Sequence, residues 1–285
     1  MMNIDVIIPV WNRAHTIGQA IDSALSQRLP PNSKLTVTVV DDGSSDNLPE
    51  VLGAYGERVS CIRHSKNIGA AAARNTGIAA THGEYLAFLD SDDVWLPGKL
   101  AKQIDFMQAG GYLASCTSSL LVRRNGAAIV APRYPTGPLK LADLVWGCFV
   151  SPGSTLICKR DVYQQVGDYD AELSRLEDWD WLLRYALRHQ LGFLSEPMAR
   201  IELSVHPDPA TVFAALKRME DRHLSTLSGR ERRLFKAAIE VVRAATYQRR
   251  GAPIAAASAV IKSLWLARAR NIALATVLHN HFARR

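Results

Sequence analysis

Three carboxylates stand within four residues directly after an apolar run, and their spacing points to a bound cation. The stretch YLAFLDSDDVW, residues 85–95, carries Asp90, Asp92 and Asp93. Carboxylates packed this closely repel one another unless a positive charge neutralises them. One or two carboxylates and the phosphates of a substrate commonly share a Mg²⁺ or Mn²⁺ ion. The cluster therefore predicts a Mg²⁺ or Mn²⁺ ion that ties Asp90 and Asp92 to a diphosphate, with Asp93 beside them.

Alternative roles for the three aspartates fit the sequence less well. A helix N-cap accounts for one aspartate, but the signal for the next helix is Pro97, several residues later. An EF-hand loop needs an oxygen ligand and then a glycine where this chain has Val94 and Trp95. The letters DSDDV also fit the DxDx(T/V) signature of haloacid-dehalogenase-like phosphatases, in which Asp90 would be the nucleophile. That family carries the signature on its first strand, whereas here it follows the fourth. A plain structural turn is the last alternative.

Polar residues also follow the first two predicted strands. Asp41 and Asp42 end the run VVDD, and such carboxylates accept hydrogen bonds from a nucleobase imide or a ribose hydroxyl. A turn with Asx capping accounts for the pair equally well. In IPVWNR, Trp11 has a ring that can stack on a base and Arg13 has a guanidinium that can face phosphate. An ordinary loop aromatic is the alternative.

Two further motifs stay ambiguous from their residues alone. NIGAAAARNTG, residues 67–77, is either a tightly packed helix or a small-residue surface from which Arg74 or Asn75 reaches a nucleotide. In RLEDWDW, Asp178 directly precedes an apolar helix beside Glu177, and an N-cap is the favoured interpretation over a general base. His206 is a single histidine, which is either a surface residue or a metal ligand.

The elements that position these residues alternate between strand and helix. Strands are predicted over 3–10, 35–40, 58–64 and 84–90, and helices over 15–27, 47–55, 69–81 and 97–108. This alternation predicts an α/β fold with a doubly wound, mainly parallel sheet. Ligands of such sheets bind beyond the carboxyl ends of the strands, where the polar residues stand. The chain has no GxGxxG motif, which counts against a dinucleotide site.

The C-terminal part of the chain is predicted to be largely helical. A helix is expected over 178–190, and helical patterns resume at Asp208 with a break at residues 251–253. Residues 254–278 are apolar but interrupted by Lys262, Arg268 and Arg270. They predict either an amphipathic helix at a membrane surface or a helix packed on the main domain.

Composition places the chain among soluble globular proteins with a basic end. It has 285 residues, of which 48% are hydrophobic and 21% charged. The four cysteines form no CxxC pair, which argues against a zinc site or disulfide framework and fits a reducing compartment. We expect no signal peptide, since MMNIDVIIPV lacks a basic start, and no membrane span. From Ala215 onward 15 Lys and Arg residues stand against 4 Asp and Glu, which points to an anionic partner or a solvated helical face.

Together the motifs resemble family 2 glycosyltransferases with the GT-A fold. VIIPVWNR, VVDDGSSD, NIGAAAARNTGI, YLAFLDSDDVW and LEDWDW occur in the family's order and approximate spacing over about residues 3–206. The chain is similar to bacterial members that build cell-surface polysaccharide or lipopolysaccharide. The resemblance implies a GT-A domain over 1–206 and a basic helical extension over 207–285. It also implies a nucleotide-sugar donor, usually a UDP-sugar, a Mn²⁺ or Mg²⁺ ion and inversion at the anomeric carbon.

The resemblance assigns roles by motif. Asp178 would be the general base, Asp42 rather than Asp41 would read the uracil edge, and the DxD element would bind metal. The residues expected to bind the nucleotide-sugar are Pro9, Trp11, Arg13, Asp41, Asp42, Asn67, Arg74, Asn75, Asp90, Ser91, Asp92 and Glu177. The expected metal ligands are Asp90, Asp92, Asp93 and His206.

Departures from the family pattern are few. Trp11 stands where Tyr or Phe is usual, and the QxxRW motif of processive synthases is missing, which favours addition of one or a few sugars. We expect a glycan or lipid-linked acceptor and a cytoplasmic protein with peripheral contact to an anionic membrane, and no nucleic-acid partner. The competing functions are a non-catalytic nucleotide-sugar or glycan binder and a phosphatase that uses Asp90.

Overall fold

The structure is a computed structural model that describes residues 1–122, 126–131, 134–203 and 208–267. The first part contains β1 (Met2–Val10), α1 (Ile17–Leu25), β2 (Ser33–Asp41), α2 (Leu48–Gly53), β3 (Ser60–Arg63), α3 (Ala70–Ala80), β4 (Tyr85–Phe88), β5 (Val94–Trp95) and α4 (Lys99–Gly110). The second part contains β6 (Ala114–Val122), β7 (Ala128–Ala131), β8 (Gly137–Leu139), α5 (Leu141–Leu144), α6 (Pro152–Thr155), β9 (Ile157–Lys159), α7 (Arg160–Val166), α8 (Glu177–Ala186), β10 (Leu191–Glu202), α9 (Pro209–His223), α10 (Gly229–Arg249) and α11 (Pro253–Ala267).

The described strands form one sheet in which the first four pair in parallel. Their hydrogen-bonded order is β3-β2-β1-β4-β9-β6-β10-β5, while β7 pairs with β6 and β8 with β10. β1 is parallel to β2 and β4, and β2 is parallel to β3. β9 joins antiparallel to both β4 and β6 and links the two halves of the sheet. The predicted α/β fold is confirmed, because β-branched runs alternate with amphipathic helices as parallel pairing requires.

Helices cover both faces of the sheet, and each face has its own hydrophobic core. Side chains of β1 alternate, so that Ile7 lies in one core while Val6 and Ile8 lie in the other. Ile21 of α1 and Ile104 of α4 belong to the core with Val6. The core with Ile7 is filled by α3, α8, α9 and α10. Both faces of the sheet are therefore covered by packed side chains. The loops at the carboxyl ends of the parallel strands are where a ligand can reach this part of the sheet.

The start of α4 and the presence of β10 differ from the sequence prediction for local reasons. Pro97 was expected to begin α4, but the helix begins at Lys99 after Gly98, whose φ of 80° makes a left-handed turn. Glycine accepts that conformation without steric cost, so it sets the start of the helix. β10 was not predicted, and its ladder with β6 is irregular around Pro197. Proline cannot donate to a ladder, and its presence hid the strand in the sequence.

The helices after residue 208 share a core with the sheet. Asp208 caps α9 by accepting hydrogen bonds from the N–H groups of Ala210 and Thr211. Leu216 of α9 and Phe235 of α10 lie in the same core as Trp179 of α8. The break expected at residues 251–253 separates α10 from α11. The boundary predicted at residue 206, like the stretch 268–278, lies outside the described residues.

Across the parts of the chain that the structure describes, no helix is both long and apolar enough to cross a bilayer.

Candidate functional site

The loops after β1, β2 and β4 meet at one edge of the sheet. The N–H group of Asp42 donates to the carbonyl of Val10 at 2.8 Å, which joins the ends of β2 and β1. Arg13 Nη2 lies 3.5 Å from Asp92 Oδ2, which joins the loop after β1 to the loop after β4. Parallel strands end at the same edge, so three polar motifs that are distant in sequence come together in space.

The loop after β1 turns at Asn12, in a left-handed conformation that its sequence did not predict. Asn12 has a φ of 51°, a left-handed conformation that asparagine tolerates better than most residues. Its Oδ1 accepts from the N–H of Ser45 at 2.7 Å, and its own N–H donates to Ser44 Oγ at 2.9 Å. The indole of Trp11 is 52% exposed beside this turn. Pro9, in contrast, is buried within β1 and pairs with Val40.

The two aspartates at the end of β2 differ in the kind of hydrogen-bond partners that their carboxylates have. Asp42 accepts hydrogen bonds from the N–H groups of Ile68 and Gly69, and its Oδ1 lies 2.7 Å from His64 Nδ1. Asp41 accepts from the N–H of Ser44 and from Arg63 at 2.6 Å. The side chain of Arg63 is 50% exposed, so this partner can move aside more easily than backbone N–H groups. Both aspartates are buried with protein partners on their carboxylates, and they differ in that one partner of Asp41 is a half-exposed arginine.

Asp93 is buried in the turn that follows β4. Its Oδ2 accepts from Ser154 Oγ at 2.5 Å, and its Oδ1 accepts from the N–H of Glu202 at 3.0 Å. Ser154 Oγ also accepts from the N–H of Asp90 at 3.0 Å. Burial and the nearby Asp90 carboxylate raise the pKa of Asp93 well above its ordinary value. These contacts give Asp93 and the unpredicted Ser154 a structural role, in contrast to the expected role of Asp93 as a third metal ligand.

Asp90 and Asp92 remain partly exposed beside that turn. Burial, reinforced by the Asp90 carboxylate, raises the pKa of Asp92, as expected for an acidic pair with too little cationic charge nearby. A methyl group at Gly153 of α6 would clash with the Asp90 carboxylate, so glycine keeps the space beside it clear. Within the described residues, no three His, Cys, Asp or Glu side chains are grouped to hold a metal ion. Two carboxylates plus substrate phosphates still fit Mg²⁺, which usually binds through one or two protein carboxylates.

Arg74 is a buried bridge within the site. Only 4% of it is exposed, and it donates from Nη2 to Asp90 Oδ1 and from Nη1 to Glu177 Oε1, both at 2.7 Å. Its guanidinium carbon lies 5.7 Å from the centre of the Tyr169 ring. The guanidinium therefore joins the end of β4 to the start of α8. The motif predicted that Arg74 or Asn75 reaches a nucleotide, whereas the structure places Arg74 between two carboxylates.

The other residues that were predicted to bind the nucleotide or the metal differ in how buried they are. Asn75 donates to the carbonyl of Tyr169 at 2.8 Å and accepts from its N–H at 3.0 Å, so its amide fastens the loop before α8. Asn67 is exposed on the loop that precedes α3, and Ser91 is buried in the turn after β4. His206 lies outside the described residues.

Asp178 lies in the first turn of α8, and it does not cap that helix. The N-cap position belongs to Leu176, whose φ of 67° turns the chain sharply into the helix. Asp178 Oδ1 accepts from the N–H of Trp179 at 2.7 Å. Burial and the adjacent Glu177 carboxylate raise the pKa of Asp178 to about 6, against the opposing effect of Arg74. Such a carboxylate is ionised at neutral pH and takes up a proton readily, as a general base must.

Comparisons with known proteins agree with this geometry. Residues 5–167 match the sequence profile of Glycosyl transferase family 2. An uncharacterized glycosyltransferase of Rickettsia typhi is 28% identical over 257 residues, which cover 86% of this chain and 76% of that protein. The Escherichia coli protein WfgD, named UDP-Glc:alpha-D-GlcNAc-diphosphoundecaprenol beta-1,3-glucosyltransferase, is 39% identical over 148 residues, which cover 51% of this chain and 57% of WfgD. Further Rickettsia relatives are longer, and this chain spans about a fifth of their length.

One solved structure shows the fold. TarS of S. aureus, crystallised with UDP-GlcNAc, superposes with a TM-score of 0.65 at 18% identity, over 94% of this chain and 90% of that one. This similarity confirms the GT-A fold that the motifs predicted.

Replacing Arg74 tests its role as a buried bridge. We expect Arg74→Gln to lower the free energy of unfolding by about 3 kcal/mol, because it leaves two carboxylates without their cation. The value lies at the low end of the range for buried pairs, since the Asp90 side chain is 38% exposed. Arg13→Gln is the matched control, because its pair with Asp92 is partly exposed and contributes under about 1 kcal/mol. Equal losses in urea titrations of the two variants would contradict the assignment.

Proposed function

This chain belongs to glycosyltransferase family 2, and we propose that it transfers a sugar from a UDP-sugar to a hydroxyl group of a glycan or lipid-linked acceptor, with inversion at the anomeric carbon. Two of the compared proteins support these substrate classes. TarS was crystallised with UDP-GlcNAc. WfgD is named for a UDP-Glc donor and a diphosphoundecaprenol acceptor.

The observation that carries the proposal is the connection between Asp178 and the acidic end of β4. Glu177, the neighbour of Asp178, binds Arg74, and the same guanidinium binds Asp90. A carboxylate with a raised pKa thus stands beside the charged cluster that would receive a diphosphate. This combination suits a transfer in which one group removes a proton while others stabilise a departing anion.

In the proposed reaction Asp178 acts as the general base. The acceptor hydroxyl oxygen attacks the anomeric carbon, and its proton passes to the Asp178 carboxylate. A bond forms between that oxygen and the anomeric carbon, while the bond from the anomeric carbon to the diphosphate oxygen breaks. Nucleoside diphosphate leaves on the opposite face, and the product is inverted. General-base assistance of this kind contributes about 10²–10⁴-fold in rate.

The loops after β1 and β2 would hold the nucleotide. The half-exposed ring of Trp11 would stack on the base, and Asp41 would accept a hydrogen bond from the uracil imide. Arg13, which lies beside Asp92, would face the diphosphate. Trp11 and Arg13 are partly exposed, whereas the buried Asp41 would exchange its contact with the half-exposed Arg63 for the base.

Asp90 and Asp92 would hold the Mn²⁺ or Mg²⁺ ion that this family commonly uses. When bound, the ion would offset negative charge on the diphosphate leaving group. Asp93 has protein partners for both oxygens and is left out of the proposed ligand set.

The competing functions fit less well. A haloacid-dehalogenase-like phosphatase would need Asp90 as a free nucleophile, but Asp90 is paired with Arg74 and its motif follows β4. A non-catalytic binder would not need a carboxylate next to Glu177, whose bridge through Arg74 reaches the acidic end of β4. We place the enzyme in the cytoplasm, in peripheral contact with the membrane that carries a lipid-linked acceptor.

The base assignment is tested by an isosteric substitution. Asp178→Asn should lower the rate of sugar transfer by about 10²–10⁴-fold, because the amide cannot take the acceptor proton. Binding of UDP in the presence of Mn²⁺, measured by calorimetry, should be unchanged. Asp168→Asn, which alters an exposed carboxylate on the nearby loop, is the control. A wild-type transfer rate in Asp178→Asn would remove Asp178 from the mechanism.

The pH profile provides a second test of the same residue. Asp178 is active when ionised, so kcat/KM should be constant at neutral pH and should fall about tenfold per pH unit below its pKa of about 6. The residual activity of Asp178→Asn should lack this ionisation. A wild-type midpoint near pH 4, the ordinary value for an aspartate, would contradict the assigned environment.

Metal binding can be measured without turnover. Asp92→Ala should weaken the binding of UDP at saturating Mn²⁺ at least tenfold, while binding without metal should change little, because the variant removes one of two proposed ligands. Asp161→Ala, at an exposed carboxylate on α7, serves as the control. Identical Mn²⁺-dependent titrations for Asp92→Ala and the wild type would exclude Asp92 from the metal site.

A further inference from the structure

Helix α11 carries large apolar side chains on the side that faces away from the protein. Ile254 is 87% exposed, Ile261 66% and Trp265 75%. The residues on its inward side are small: Ala256, Ala259 and Ser263. A surface helix normally turns its large apolar residues inward and its polar residues to water. The reversed arrangement of α11 indicates an outer face that is built to contact something apolar.

The contacts of α11 with α10 hold this face in a defined orientation. Ser263 Oγ donates to the carbonyl of Ala237 at 2.9 Å, and Lys262 Nζ donates to Glu240 Oε1 at 2.6 Å. These bonds determine which side of α11 is buried. Ile254, Ile261, Leu264 and Trp265, which we name the α11 outer face, are displayed together as a consequence.

The sequence from α11 onward is positively charged. From Pro253 to the end of the chain the sequence contains no Asp or Glu, but it contains Lys262 and four arginines. α10 ends in Arg249, and the exposed Arg250 follows it, three residues before the start of α11. In the sequence, basic residues flank the segment that carries the α11 outer face. An apolar face flanked by positive charge complements a surface that has an anionic outer layer over an apolar interior. A bilayer with acidic headgroups has that character.

We propose that the α11 outer face docks on the surface of a membrane that contains anionic lipids. Ile254, Ile261 and Leu264 insert at the boundary between headgroups and acyl chains, and Trp265 lies at the headgroup level that tryptophan prefers. The exposed Arg250 and the partly exposed Lys262 contact lipid phosphates. The biological meaning of this contact rests on the proposed function, since a lipid-linked acceptor presents its hydroxyl at the same surface.

Vesicle sedimentation tests the proposal with the full chain and without donor or acceptor. We expect the protein to bind vesicles of phosphatidylcholine with phosphatidylglycerol, and to bind pure phosphatidylcholine at least tenfold more weakly. The double variant Ile261→Ser/Trp265→Ser should bind the anionic vesicles at least tenfold more weakly than the wild type. Leu187→Ser is the matched control, since Leu187 is an exposed apolar residue at the end of a different helix, and it should bind like the wild type.

Three results would overturn the proposal: no binding to anionic vesicles, equal binding to both compositions, or equal binding by the double variant. Analytical ultracentrifugation of the double variant adds a fourth, since conversion of a dimer into a monomer would assign the face to a second copy of the chain. Loss of thermal stability with vesicle binding unchanged would assign it to contacts within the chain. Binding of UDP, measured separately, should be the same in wild type and double variant, so a failure of the proposed function is distinguishable from a failure of this proposal.

Discussion

The site depends on a single buried cation, the guanidinium of Arg74. It contacts Asp90 at the end of β4 and Glu177 at the start of α8, and among the described residues neither carboxylate has a second ion-pair partner. Without the guanidinium, the carboxylates of Asp90 and Glu177 would repel each other in a partly buried environment of low dielectric constant. The same charge opposes the rise in the pKa of Asp178 that burial and Glu177 cause. Arg74 therefore joins the end of β4 to the start of α8 by its hydrogen bonds and by its charge.

Much of this arrangement could be predicted from sequence because it follows from local pattern. Alternating β-branched runs and amphipathic helices predict parallel strands, and parallel strands bring their carboxyl ends to one edge. That reasoning correctly brought together the segments after β1, β2 and β4, which are joined by the contacts of Asp42 with Val10 and of Arg13 with Asp92. The family resemblance then supplied the GT-A fold, which the similarity to TarS confirms. These inferences needed only the type and order of residues, and no knowledge of which side chains touch.

What could not be predicted depends on contacts between distant segments. Whether a carboxylate is free or occupied is decided by partners such as Ser154, which is 61 residues from Asp93 along the chain. The amide of Asn75 is of a kind that can bind a nucleotide, but its hydrogen bonds are made with the backbone of Tyr169. The N-cap interpretation of Asp178 failed because Leu176 takes a left-handed conformation that its residue type gives no reason to expect.

The link between α8 and α9 has a consequence for how much of the chain is needed to fold. Asp180 of α8 is fully buried, with His223 Nε2 2.8 Å from its Oδ1 and Arg184 on its Oδ2. Although burial opposes it, the hydrogen bond with His223 and the charge of Arg184 hold the pKa of Asp180 below its ordinary value. A chain shortened before His223 would leave this carboxylate facing a void inside the protein. The part of the chain that must fold together is therefore expected to reach at least His223, past the last sequence motif, LEDWDW.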